Sequence, residues 1–154
     1  MGKFIRFLIT HAIAIAIGFG LGVYFLHILT EPPAPDAAAL EEMAAEAQFQ
    51  ATLTRELRGS DFAHWGEGAI SVSATQISHQ GKLAPGPDYK LYLTKGLVDH
   101  EDNFDRANAI RIGDVKRFSG FILDVPESVD VSAYDSVLIW CEAFGEFITA
   151  AAYN

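Results

Sequence analysis

Cysteine is nearly absent from this chain, whose 154 residues contain one, Cys141. An internal disulfide needs two thiols, so small secreted folds that are held together by disulfides are excluded. Redox motifs of the Cys-x-x-Cys type, and zinc or iron–sulfur sites with several thiolates from one chain, are excluded for the same reason. A single thiol in an oxidising compartment must be buried, paired with another molecule, bound to a metal or chemically active.

Basic residues are also scarce. The chain has 11 Lys and Arg against 20 Asp and Glu, a formal net charge of -9. The imbalance is not confined to a tail, because residues 59–154 alone hold 14 acidic and 7 basic residues, a net charge of -7. An acidic surface repels phosphate backbones, so the composition argues against a nucleic-acid partner.

Common catalytic motifs and methionine are missing as well. The sequence has neither the Gly-x-Ser-x-Gly elbow of α/β-hydrolases nor the His-Glu-x-x-His motif of zinc proteases. Both methionines, Met1 and Met43, precede residue 59. Blue-copper sites combine two histidines and a cysteine with a weak axial ligand that is usually methionine. Copper is therefore expected less than haem or no bound group, although a backbone carbonyl could replace the methionine.

A long apolar run stands near the N-terminus. Residues 7–29 contain no charged side chain, and 23 residues of helix are enough to cross a bilayer. We expect residues 1–30 to form an uncleaved signal anchor, because the apolar run is longer than that of a cleaved signal peptide. Lys3 and Arg6 precede it, which predicts a cytoplasmic N-terminus. Gly18 and Gly22 have a spacing that can bring two such helices together, so a homodimer is a further prediction.

Residues 31–58 are predicted to form a Pro-rich linker and a helical stalk. Three prolines in 32–35 favour an extended segment. Asp36 is a good helix N-cap, and the Ala- and Glu-rich stretch 37–58 consists mostly of strong helix formers. Gly59 is a natural stop. The stalk is expected either to dock on another surface or to serve as a solvated spacer.

Residues 59–154 have the sequence pattern of an all-β domain. Short alternating apolar runs are separated by Gly, Pro, Asp and Asn, and about seven short antiparallel strands can be counted. This pattern predicts a β-sandwich or a closed barrel. The run 136–144 is apolar on both faces, with Val137, Ile139 and Cys141 on one side and Leu138 and Trp140 on the other. It is expected to be a central, buried strand.

Four segments of this domain carry a resemblance to a known family. They read HWGEGAI at 64–70, GPDYKLYL at 86–93, VPESVDVSAYDSV at 125–137 and IWCEAFGEFITAA at 139–151. In this order they resemble the DM-thirteen (electron-transfer DM) domain family over nearly all of residues 60–153. The resemblance implies a β-sandwich outside the cytoplasm, in bacteria often behind one membrane anchor, with a redox role centred on the cysteine. It thus predicts a single-pass protein of the bacterial inner membrane with a periplasmic domain.

The candidate site residues are Cys141, His64 and Trp140. Cys141 is the expected redox residue, either as a bare thiol or as a ligand of haem or a metal. His64 lies in a family-like motif and could share a ligand with Cys141 if the fold brings the two together. Trp140 is expected to help line a slot for a cofactor, and a redox partner protein is implied. The alternative is a non-catalytic binding or structural module in which Cys141 is core packing.

Overall fold

The computed structural model describes residues 2–153. Two helices precede eight strands, and short 3₁₀ turns occur between the later strands. The elements are α1 (Gly2–Leu29), α2 (Ala37–Glu46), β1 (Phe49–Leu53), β2 (Gly66–Val72), β3 (Gln76–Leu83), β4 (Tyr89–Thr94), β5 (Ala109–Val115), β6 (Phe121–Asp124), β7 (Ser136–Cys141) and β8 (Glu146–Ala152).

The strands form two four-stranded antiparallel sheets, with the orders β1-β2-β3-β6 and β5-β4-β7-β8. Apolar side chains from both sheets build one continuous core, in which Ile70, Leu91 and Ile139 are fully buried. The predicted all-β sandwich is confirmed, with eight strands where about seven were expected.

Strand β7 occupies the central position that its sequence predicts. It lies between β4 and β8, and all six of its residues are buried. Along the β4–β7 pair, Tyr89 is opposite Cys141 at one end and Thr94 is opposite Ser136 at the other. Cys141 therefore stands at one end of the sandwich, where β7 leaves the sheet.

The predicted stalk helix is wrong over its second half. Asp36 does cap a helix, since its side chain accepts a hydrogen bond from the N–H of Ala38, at 3.1 Å. That helix, α2, ends at Glu46, and residues 49–53 form edge strand β1 of the sandwich. Met43 of α2 is buried, and α2 lies against β3 and β2. The segment is therefore docked on the domain, and the sandwich begins before residue 59.

Helix α1 is long and apolar enough to cross a membrane, and its most apolar window has no buried residue. It touches the domain mainly through half-buried side chains near its C-terminal end, Val23, His27 and Ile28. The linker then fastens to the domain, because Glu31 accepts a hydrogen bond from the N–H of Phe118, at 3.0 Å. A Cβ atom on either glycine of the Gly18–Gly22 pair would meet nothing within 4 Å. Pairing of two helices through that face stays a prediction.

Candidate functional site

A cavity of about 720 Å³ opens at the end of the sandwich where Cys141 stands. Four segments form its walls: α1 between residues 19 and 24, the loop 62–65 before β2, the loop 84–87 before β4, and the turn between β7 and β8. Both Cys141 and His64 line it. The fold thus brings together two of the three residues that the sequence singles out.

Cys141 forms part of the inner wall. It shares a face of β7 with Val137 and Ile139, belongs to the main core and is only 2% exposed. Burial raises the pKa of the thiol, while hydrogen bonds from the backbone N–H groups of Phe144, Asp88 and Ala143 act in the opposite direction. The sulfur is therefore a protonated thiol at neutral pH, although nearby N–H groups could stabilise it as a thiolate bound to a metal.

His64 is held in place by a short turn that Asp61 organises. The carboxylate of Asp61 accepts hydrogen bonds from the backbone N–H groups of Ala63 and His64, both at 2.7 Å, and contacts Nδ1 of His64 at 3.1 Å. Partial burial acts to raise the pKa of Asp61, but these hydrogen bonds lower it below its ordinary value. Asp61 is thus an anion that fixes the imidazole and leaves Nε2 for another partner. Histidines that bind metals are commonly oriented by a carboxylate in this way.

Tyr89 and Gly86 form another part of the cavity wall. Tyr89 is 3% exposed and packs edge-on against Phe118, with ring centroids 5.7 Å apart. A Cβ atom on Gly86 would lie 2.4 Å from three atoms of the Tyr89 side chain, so only glycine allows this approach. The Gly-Pro-Asp turn at 86–88 is therefore shaped by the Tyr89 side chain that it covers. Desolvation on burial raises the pKa of the Tyr89 hydroxyl.

Trp140 does not join the cavity. It points to the other face of β7, into a second apolar cluster that includes Tyr92, Leu138 and Phe147. The ring of Phe104 covers it, with centroids 4.6 Å apart, and the guanidinium of Arg106 lies 5.9 Å from its centroid. The expectation that Trp140 lines a slot beside Cys141 is corrected by the alternation of the strand, which places the two neighbours on opposite sides of the sheet.

The mouth of the cavity is aromatic. Phe62 is 95% exposed and Phe144 is 69% exposed, and both line the cavity. Trp65 lies in its wall, with the guanidinium of Arg55 3.4 Å from the ring centroid. The sequence argument overlooked Phe62 and Trp65. A signal was available, because Phe62 and Trp65 flank His64 in one short loop.

A second histidine ligand is not found in the cavity wall as described. His79 is fully buried in β3, where its Nε2 lies 3.1 Å from the backbone carbonyl oxygen of Glu67. Elsewhere, His100, Glu101 and Asp102 place ligand atoms within 4.8 Å of one another, but this exposed group pairs within itself and with Arg58. The described cavity wall thus offers one imidazole and one thiol, together with the carboxylate of Glu146.

Comparison with known families gives one match. The family described as Electron transfer DM13 matches residues 56–153, which include all the domain residues of the cavity wall. No curated protein and no solved structure matches the chain.

Proposed function

The chain belongs to the Electron transfer DM13 family, and on that premise we propose that it is a membrane-anchored electron-transfer module whose redox group occupies the cavity between His64 and Cys141. The observation that supports the proposal is that both donors line one cavity, although 77 positions separate them along the chain. In this proposal α1 anchors the module in the bacterial inner membrane. Lys3 and Arg6 before the apolar run support a periplasmic position for the sandwich.

The residues of the cavity suit haem better than copper. A haem needs an axial ligand and an apolar slot, and His64 or Cys141 could supply the ligand while Trp65, Tyr89 and Phe144 line the slot. A blue-copper centre needs two histidines beside the cysteine. Among the described residues of the cavity wall, only one histidine is available, so the copper ligand set is incomplete.

The chain's own residues would hold and tune such a group. Asp61 keeps the imidazole of His64 oriented, and the backbone N–H groups near Cys141 offset part of the cost that burial imposes on a charged sulfur. The apolar walls exclude water, which affects the reduction potential of a bound centre. When bound, the group would supply a one-electron change, with the electron coming from or leaving to a separate redox partner protein.

A bare thiol fits the cavity less well as the redox group. Thiol–disulfide exchange requires a thiolate that another sulfur can approach in line. Cys141 is 2% exposed, and burial raises the pKa of its thiol. The chain also lacks a second cysteine that could resolve a mixed disulfide. Electron transfer through a bound group needs no second thiol and no in-line approach of another sulfur; it needs only that the Cys141 sulfur can be reached from the cavity that it lines.

The test is a potentiometric titration of the full chain, purified from membranes in detergent, together with its absorption spectrum and its haem and metal content. We expect a bound chromophore and one reversible wave, with both lost or shifted in Cys141→Ser. Val137→Ala is the matched control, because it alters the same face of the same buried strand at its far end. A wild-type chain without chromophore, metal or reversible wave would refute the proposal.

A non-catalytic binding or structural module is the second candidate. Its support is that Cys141 continues the core formed by Val137 and Ile139 and is nearly inaccessible. In that case Cys141→Ala would fold and leave every spectroscopic property of the chain unchanged. Alkylation by a bulky maleimide would then be limited by unfolding, and no added haem or metal would slow it further.

A further inference from the structure

Exposed apolar side chains of the domain are few and concentrated. Outside α1, the described residues expose three large apolar side chains: Phe62, Leu97 and Phe144. Single exposed residues of this kind are ordinary. Two of the three, however, stand on the rim of one cavity, and that rim also adjoins α1.

The contact between α1 and the domain fixes which part of the helix is free to enter lipid. The half-buried residues of α1 begin at Val23, and large side chains from Phe4 to Leu21 are exposed. Within this free part, the 16 uncharged residues from 7 to 22 span about 24 Å of helix, and the long side chain of Arg6 can extend to the headgroups. The free part therefore approaches the thickness of about 30 Å of a hydrocarbon core. The last two turns then lie at the membrane surface, where they pack on the domain.

The cavity then also lies at the membrane surface. Phe19 and Gly20, near the end of the free part of α1, line it on one side, and Phe62 and Phe144 line it on the other. Its described wall contains no Lys or Arg, and its one carboxylate belongs to Glu146. An apolar, aromatic rim of this kind suits the boundary between headgroups and acyl chains.

We propose that the rim formed by Phe62 and Phe144 inserts into the interfacial layer of the bilayer that α1 crosses, so that the Cys141 cavity opens onto lipid. The inference rests on the membrane anchoring in the proposed function, and it adds an orientation: the sandwich stands on the membrane by its Cys141 end. Leu97 follows β4 at the Thr94–Ser136 end. The five residue steps of β4 separate the two ends of the strand by about 17 Å, so we expect Leu97 to lie clear of the bilayer.

The test places single tryptophans at the three exposed positions. In the full chain carrying Trp65→Phe and Trp140→Phe, one further change is made at a time: Phe62→Trp, Phe144→Trp or, as matched control, Leu97→Trp. Each variant is reconstituted into phosphatidylcholine vesicles with or without bromine atoms near the top of the acyl chains. We expect the brominated lipid to quench emission in the Phe62→Trp and Phe144→Trp variants and to leave the Leu97→Trp variant unquenched.

The outcomes separate this inference from the anchoring on which it rests. If the chain resists extraction from vesicles by alkaline carbonate but all three variants are unquenched, the rim does not touch lipid and the inference is wrong while the anchor stands. If quenching is strongest in the Leu97→Trp variant, the domain stands the other way up. If the chain does not enter vesicles at all, anchor and inference both fail. Native Trp65, measured in Trp140→Phe alone, repeats the test without an added aromatic residue.

Discussion

Replacing Gly86 by alanine tests the contact that shapes the cavity wall. An added Cβ would lie 2.4 Å from atoms Cε1, Cζ and Oη of Tyr89, closer than real Cβ atoms approach a neighbour. Tyr89 cannot move aside freely, because it is 3% exposed and packs against Phe118. Gly86→Ala therefore either strains the turn or pushes the ring of Tyr89 away from its place opposite Cys141.

The loss of stability expected in Gly86→Ala follows from the cost of overpacking. Extra atoms in a well-packed region typically cost about 1–3 kcal/mol. For a domain of up to about 100 residues, each 1 kcal/mol lowers Tm by about 4–8 °C. Gly113→Ala is the matched control, since its Cβ would lie 3.7 Å from Leu123, an ordinary contact. At that position we expect a change in stability of less than about 1 kcal/mol.

The assay is thermal unfolding of the full chain in detergent, followed by circular dichroism. A double-mutant cycle with Tyr89→Leu sharpens it, because removing the ring removes the clash. The coupling between positions 86 and 89 is expected to lie within about 0.5–3 kcal/mol. The reasoning is refuted if Gly86→Ala costs no more than Gly113→Ala, or if its cost is the same with and without the Tyr89 ring.

Three further predictions concern single side chains. Burial lowers the pKa of His79, so protonation of this side chain opposes folding. The free energy of unfolding is at its full value above pH about 6.5 and falls as the pH drops below that value, by at most about 1.4 kcal/mol per pH unit. Chemical denaturation between pH 7.5 and 5.5 should show a shallower fall for His79→Gln than for the wild type, and an equal slope would contradict this. Trp140→Phe should lower the free energy of unfolding by about 1–3 kcal/mol in the same assay, because the side chain packs under Phe104. The redox wave should remain in this variant, and its loss would show that Trp140 belongs to the redox site. Asp61→Asn removes the anion that orients His64. This change should weaken binding of haem or metal by about 10–100-fold in an absorbance titration. An unchanged affinity would contradict a role of His64 as a ligand that Asp61 orients.

Much of the fold can be predicted from strand alternation. Periodicity of two identifies β7 and places Val137, Ile139 and Cys141 on one face and Trp140 on the other, as the two apolar clusters confirm. The same rule already separates Trp140 from any site that contains Cys141. The expectation of a shared slot followed the Trp-Cys pairing in the sequence and ignored that alternation.

Two of the eight strands, β1 and β3, carry no clear strand signal in the sequence, for physical reasons. Phe49 and Leu53, four residues apart, fit a helical stripe as well as one face of a strand, because four residues are two strand periods and nearly one helical turn. Strand β3 is polar, and its buried residues include Ser78 and His79, so it lacks an apolar run. In both cases pairing with β2, and not local propensity, decides the structure.

The cavity could be anticipated only in part. The sequence indicates that Cys141 and His64 are candidate redox residues, but whether both line one cavity depends on how the loop before β2 folds. The turn around Asp61 sets that loop, and the close approach of Gly86 to Tyr89 sets the wall beside it. Contacts between distant segments of this kind leave no periodic trace in the sequence.

The central claim is that Cys141 and His64 serve one redox centre, and a double-mutant titration tests it most directly. The midpoint potential of the full chain is measured for wild type, Cys141→Ser, His64→Gln and the double variant. If both side chains hold one group, each single change abolishes or strongly shifts the wave, and the double variant loses little more. Two independent shifts that add, or a wave that is unchanged in every variant, would contradict the claim.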